Sequence, residues 1–395
     1  MNRIILLCFF VFALFQGCNT IKEQEKHTTP NILVVLLDDM GFSDMGCFGG
    51  EIETPAVDKL AEKGLRFCNF HNNAKCEPSR TSLLSGLYCY QAGNRSLSNA
   101  ATIADVARSK GYYTFATGKW HLEDHPMDRG FDHFFGFLEG ACGYFTGYSY
   151  FILDRERFDV PDDFYTTDYI MTYSLKFIDE AKIISKPFLG YIAFNAPHSP
   201  LQAPRKVVEK YYGIYNDGWD KLREERYRRM IESGVLMKNA KLSPRPDFIP
   251  AWNELPKERK TFEIYRMATY AACIDMVDQN MARLIDFLKE NDLFENTAIL
   301  FISDNGASPF ERTKESMYPS WDNRSRYRAG VGWAWLSNTP FRWFKQNQHE
   351  GGISTPLIVH YPDGIKKMKG KVNHELSHLI DIMPTINELI AGEYP

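Results

Sequence analysis

Two apolar runs, each ending on an acidic pair, constrain the fold more than any other feature of this chain. N-I-L-V-V-L-L-D-D-M-G (31–41) ends on Asp38 and Asp39; T-A-I-L-F-I-S-D-N-G (297–306) ends on Asp304 and Asn305. Short, continuous apolar runs bounded by turn signals suit strands buried on both faces of a parallel sheet. Ligands of such sheets gather beyond the carboxyl ends of the strands, so the two pairs are expected at one site. Either pair alone reads equally well as a helix cap or a turn.

Further strands are expected at 112–116, 188–193 and 356–360, beside 32–37 and 298–303. Thr54-Pro55 opens a helix that Lys63-Gly64 closes, and Thr102 to Gly111 repeats this cap-to-glycine pattern. Alternation of this kind predicts an α/β fold with a mostly parallel central sheet covered by helices on both faces.

Three carboxylates and an amide oxygen in one place repel each other unless a cation sits among them. Oxygen donors suit Ca²⁺ or Mg²⁺, and a set without imidazole or thiolate argues against zinc.

The run C-E-P-S-R-T-S-L-L-S-G (76–86) sets Pro78 and Arg80 two and four residues after Cys76. Alone, it also suits a buried free cysteine at a helix start. It is accompanied by T-G-K-W-H-L (117–122), F-N-A-P-H-S-P (194–200) and F-K-Q-N-Q-H-E-G-G-I-S-T-P (344–356). On these motifs the chain resembles the type I, formylglycine-dependent sulfatases, and most of all bacterial arylsulfatases. The resemblance implies an alkaline-phosphatase-like fold from about residue 30 to the end. It implies one calcium ion held by Asp38, Asp39, Asp304, Asn305 and the modified Cys76, with Arg80, Lys119, His121, His198 and Lys345 as the catalytic set. Without the resemblance, each of these residues reads as a solvated charge or a structural histidine.

The chemistry follows from the same resemblance. Cys76 is oxidised by a formylglycine-generating or equivalent maturation enzyme, and one hydroxyl of the aldehyde hydrate attacks sulfur, with Asp304 accepting its proton. Lys119, His198, Lys345 and the metal surround the sulfate, and His198 or Lys345 assists the departing oxygen. His121 takes the proton of the second hydroxyl, so that sulfate leaves and the aldehyde reforms. A serine at position 76 accepts the group but cannot release it.

The N-terminus reads as an address: a basic start, an apolar run at 4–15 too short to span a membrane, then Gly17-Cys18. A signal peptide over 1–18, a polar linker over 19–29 and a catalytic domain over 30–395 are expected. So is a lipid anchor at Cys18, placing the chain in the periplasm or on the surface of a bacterium. Cys47, Cys68, Cys89, Cys142 and Cys273 remain, an odd number without zinc-type spacing. A net charge of -4 excludes the basic field that nucleic-acid binding needs.

Three regions carry looser expectations. The charged stretch 220–230 reads as a solvated helix in an insertion (204–261) near the cleft. Tyr144, Phe145, Tyr148, Tyr150, Trp333, Trp335 and Trp343 are candidates to line subsites for a substrate ring. Family members continue beyond the helix expected within 378–392 into a C-terminal subdomain, which here reads as truncated, with apolar surface left exposed. The expected substrate is a sulfated carbohydrate or an aryl sulfate. The alternatives are a phosphate or phosphonate monoester hydrolase, and a catalytically silent surface protein that binds sulfated glycans.

Overall fold

The computed structural model describes residues 29–311 and 318–392. The signal segment, Cys18 and the linker up to residue 28 lie outside the described residues. One sheet organises the molecule: β1 (Asn31–Leu37), β2 (Leu65–His71), β3 (Tyr113–Lys119), β4 (His133–Phe137), β5 (Ile152–Leu153), β6 (Glu156–Arg157), β7 (Phe188–Ala193), β8 (Thr297–Ser303), β9 (Ser354–His360), β10 (Lys371–Asn373) and β11 (Ser377–His378). Its order is β10-β2-β9-β8-β1-β7-β3-β4-β5-β6, with β11 also on β2.

All of β1 is buried, and it pairs in parallel with β7 and β8. Its side chains alternate between two cores, as the period of a strand requires. Leu33, Val35 and Leu37 join the core that also holds Ile170, Phe177, Met267 and Ile274 of helices Thr166–Ile183 and Lys257–Glu290. Ile32, Val34 and Leu36 face the core that holds Leu83, Val106 and Ile386 of helices Cys76–Ser85, Ile103–Ser109 and Ile382–Leu389. The α/β architecture, covered on both faces, is as the sequence predicts. Thr102 and Asp105 form the capping box of the Ile103–Ser109 helix.

Several expectations need correcting. Strand β3 runs on to Lys119 because its ladder with β4 continues to the Lys119–Phe137 pair. Strand β2 carries no continuous apolar run, since Arg66, Asn69 and His71 interrupt it, yet it pairs with β9. Strand β9 is antiparallel to both of its neighbours, β2 and β8. The 220–230 stretch lies in helix Gly218–Glu232, which is solvated on one side only: Arg223 and Arg226 are fully buried. Arg226 pairs with Asp44 at 2.7 Å and Glu51 at 2.6 Å, and Arg223 donates to the carbonyls of Pro340 and Phe341, both at 2.9 Å. This charged helix therefore clamps the loop after β1 to the segment that leads to Lys345. The six cysteines among the described residues are free thiols.

Candidate active site

The carboxyl ends of β1 and β8 bring the two acidic pairs together, as the sequence requires. The Asp304 amide donates to the Leu37 carbonyl at 3.0 Å, and the Asp39 amide reaches Asp304 Oδ1 at 3.3 Å. Asp39 takes a left-handed backbone (φ 71°), a conformation that aspartate tolerates better than most residues. Its turn is held by Tyr270, whose hydroxyl lies 3.1 Å from the Asp39 carbonyl, 2.7 Å from Asp44 Oδ2 and 3.3 Å from the Gly41 amide.

Cys76 is the first residue of helix Cys76–Ser85 and is buried beside this cluster. The turn before it is locked by Asn73, whose side chain donates to the Pro78 carbonyl at 2.9 Å and to Ser82 Oγ at 2.6 Å. Ligand atoms of Asp38, Cys76 and Asp304 lie within 4.8 Å of one another, as do those of Asp38, Asp39 and His198. One helical turn on, Arg80 is fully buried and donates to Asp304 Oδ2 at 3.0 Å and to the Lys119 carbonyl at 2.7 Å.

Both expected lysines reach the acids. Lys119, at the end of β3, bonds Asp38 Oδ2, and Lys345 bonds Asp39 Oδ1 at 2.5 Å. His198 follows β7: its Nδ1 donates to the Ser199 carbonyl at 2.7 Å, while Nε2 stands 3.8 Å from Asp39 Oδ2. His121 sits on the turn after β3 with a left-handed backbone (φ 63°), and among the described residues its buried Nδ1 has no partner. It makes no hydrogen bond to the acidic cluster and occupies the rim.

Electrostatics assign charge states. Burial opposes ionisation of Asp38, but Lys119, followed by His198, Arg80 and Lys345, holds it well below the usual carboxylate range. Burial and the neighbouring charge of Asp38 push Asp304 up. Burial, with Lys119 and Arg80, lowers His121 to about 2, and burial lowers His198 to about 4, so both imidazoles are neutral near pH 7. Burial would discharge Lys345, but Asp39 and Asp38 more than offset it and raise its pKa. Burial raises the Cys76 thiol, so it is not a ready thiolate.

The donor set fits a hard cation. Among the described residues, Asp38 Oδ1, Asp39 Oδ2 and Asn305 Oδ1 are buried without a hydrogen-bond partner, while Asn305 Nδ2 donates to Asp39 Oδ1 at 2.7 Å. An unsatisfied buried polar group costs about 1–3 kcal/mol, more if charged, and these three belong to the four side chains read from sequence as ligands. A divalent cation held among them would supply the partner these oxygens lack. His198 stands nearer this set than an imidazole-free site implies, although its Nδ1 proton is taken up by Ser199.

Three of the seven candidate lining aromatics are core, while Phe145, Tyr148 and Trp343 are partly buried and Tyr150 is exposed. Tyr144, Trp333 and Trp335 are buried; the Tyr144 hydroxyl lies 2.9 Å from the His198 carbonyl, and Trp335 underlies the Arg223 guanidinium at 4.2 Å. Tyr144 thus supports the loop that carries His198, Trp335 backs the Arg223 clamp, and Trp333 packs against Tyr215, Trp219 and Trp252. Tyr270 and Arg226 had no local signal in the sequence, because each acts through contacts with residues far away along the chain.

The Sulfatase family profile matches residues 30–392. An uncharacterized sulfatase of Schizosaccharomyces pombe is 32% identical over 95% of this chain and 77% of its own length. The arylsulfatase of Klebsiella aerogenes is 31% identical over 98% of this chain and 91% of its own. Among solved structures, Ps i-CgsB in complex with k-i-k-neocarrahexaose superposes with a TM-score of 0.69 at 26% identity, covering 93% of this chain and 73% of that one.

Proposed function

This chain belongs to the sulfatase family and is a sulfuric ester hydrolase; from that premise we propose that it acts on a sulfated carbohydrate, at a centre built on Cys76 and calcium. The observation that carries the proposal is the trio of unpartnered oxygens on Asp38, Asp39 and Asn305 beside Cys76. Calcium held by Asp38, Asp39, Asp304 and Asn305 would neutralise these acids and polarise the oxygen at position 76. Formylglycine made from Cys76 would supply that oxygen as a hydrate, one hydroxyl for attack and one for release.

The chain's own residues do the rest. Lys119, Lys345 and Arg80 are buried cations, fixed before substrate arrives, and set against the negative charge of a sulfate ester. Asp304 accepts the nucleophile's proton. Lys345 and His198 are the two candidates to assist the departing oxygen; the Nδ1 proton of His198 is bonded to the Ser199 carbonyl, which leaves Lys345 Nζ as the donor whose protons are not committed to the backbone. His121, whose buried Nδ1 has no partner among the described residues, is assigned the release step that the family resemblance implies.

A carbohydrate substrate is supported by Ps i-CgsB, solved with a carrageenan-type hexaose in the same fold. Turnover across a panel of defined sulfated sugars and an aryl sulfate tests the class, and faster turnover of an aryl phosphate would reject it in favour of the phosphate or phosphonate reading. The mass of the peptide containing residue 76 tests maturation; an unmodified thiol throughout supports the silent-binder reading. Export with lipid on Cys18 is also proposed, from the 1–18 segment, and the mass of the detergent-extracted native protein decides it.

A further inference from the structure

A second group of cations stands at the far end of the sheet. Strand β9 runs antiparallel to β8 and places His360 opposite Ile299, five residues before Asp304. At ~3.3 Å per strand residue, the site lies about 16 Å from the acidic cluster, beyond the other ends of the parallel strands. Two cavities of about 190 and 370 Å³ meet there and share Lys63, Phe294 and His360 as walls.

Their lining is strongly basic. Lys59, Lys63 and Lys289 line the smaller cavity, and Lys63, Lys366 and Lys369 the larger, against the carboxylates of Asp286 and Glu295. Among the described residues, no carboxylate lies within 4.0 Å of Lys59, Lys63, Lys289 or Lys369. Lys289 instead lies over the Phe294 ring at 5.2 Å. Between these lysines is His360, 1% exposed, with a buried Nδ1 that has no hydrogen-bond partner among the described residues. Burial, Lys63 and Lys289 depress it to about 4, so the imidazole is neutral among lysines that outnumber the carboxylates Asp286 and Glu295.

A half-open space with lysines at its mouth and an unsatisfied buried ring nitrogen in its wall suits an anion that carries several acceptor oxygens. We propose that these cavities form a second, non-catalytic site for a sulfate group, either free sulfate or a sulfate carried on a saccharide. Lys63 and Lys289 supply charge, and His360, in the tautomer that carries its proton on the unpartnered Nδ1, supplies a hydrogen bond. The choice of sulfate rests on the hydrolase reading; the site itself does not.

Isothermal titration of the full chain carrying Cys76→Ala tests it at low ionic strength, with sodium sulfate in one arm and a size-defined sulfated hexasaccharide in the other. The comparison is with the same chain also carrying Lys63→Ala and Lys289→Ala, whose side chains lie at the surface; thermal melting certifies its fold independently of activity. The expected result is a binding event beyond the catalytic one, which the double substitution weakens by about tenfold or more, as loss of two charge-assisted contacts implies. Loss in the sodium sulfate arm identifies free sulfate as the ligand, and loss confined to the hexasaccharide arm identifies a glycan. In the Cys76 background, the lysine substitutions should leave aryl sulfate turnover unchanged. Titrations unaltered by the lysine substitutions would overturn the proposal, as would an equal loss of aryl sulfate turnover.

Discussion

Arg80 Nη2 lies 3.0 Å from Asp304 Oδ2, and both side chains are completely shielded from solvent. Removing one partner of a buried pair leaves an uncompensated charge, at a cost of about 3–5 kcal/mol. Arg80→Ala is therefore expected to lower stability by roughly that amount in urea unfolding, and to abolish turnover. Calcium should restore part of the stability, since the ion compensates Asp304.

Cys76→Ser exchanges a buried thiol for a hydroxyl of similar size, so the fold should survive with an unfolding midpoint near that of the parent. Turnover of an aryl sulfate should fall by about three orders of magnitude or more, because a serine ester lacks the second hydroxyl that drives release. Undiminished multiple turnover would reject formylglycine chemistry for this chain.

Chelation should destabilise the protein. A ligand that binds only the folded state at a hundred times its Kd stabilises by about 2.7 kcal/mol. Calcium is expected to raise the melting temperature of the chelator-treated protein. Asp39→Ala should abolish that rise, because Asp39 contributes one of the unpartnered oxygens.

Tyr270→Phe removes the hydroxyl that ties the Asp39 carbonyl to Asp44, while its ring stays packed. The expected loss is about 1–3 kcal/mol of stability. Calcium affinity measured by titration should weaken as well, because the Asp39 turn is no longer held in its left-handed conformation. Unchanged affinity with reduced stability would make Tyr270 structural only.

His360 links stability to pH. Its pKa falls from 6.5 unfolded to about 4 folded, so between these values the unfolded chain binds more protons. The His360 contribution is therefore full above pH 6.5 and is lost as pH falls toward 4. It is on the order of 3 kcal/mol, at about 1.4 kcal/mol per pH unit. His360→Phe should flatten the pH dependence of urea unfolding across that window; an unchanged slope would sink the assignment.

Much of the centre was legible because its chemistry sits where apolar runs end. The runs 32–37, 188–193 and 298–303 name buried strands by continuity alone, and the Asp38, Asp39, Asp304 and Asn305 positions follow from it. Strand β2 escaped because Arg66, Asn69 and His71 break its pattern, and it is stabilised by pairing with β9 rather than by its own composition. The helix around 220–230 was misjudged for a related reason: charge density on a helix reports solvation only when no distant carboxylate or carbonyl claims the charge. Arg226 is claimed by Asp44 and Glu51, and Arg223 by the carbonyls that precede Lys345.

Local order along the chain by itself determined the α/β class, the strand ends and the residue types of the site, because hydrophobic periodicity and turn chemistry act between near neighbours. Only the tertiary structure decided that Lys119 pairs with Asp38 and Lys345 with Asp39, that Arg80 is locked on Asp304, and that Trp333 and Trp335 are core. It also set a lysine-lined cavity around His360 at the opposite end of the sheet. Burial and Coulomb forces act through space, so these relations are set by which segments pack together and not by their separation in sequence.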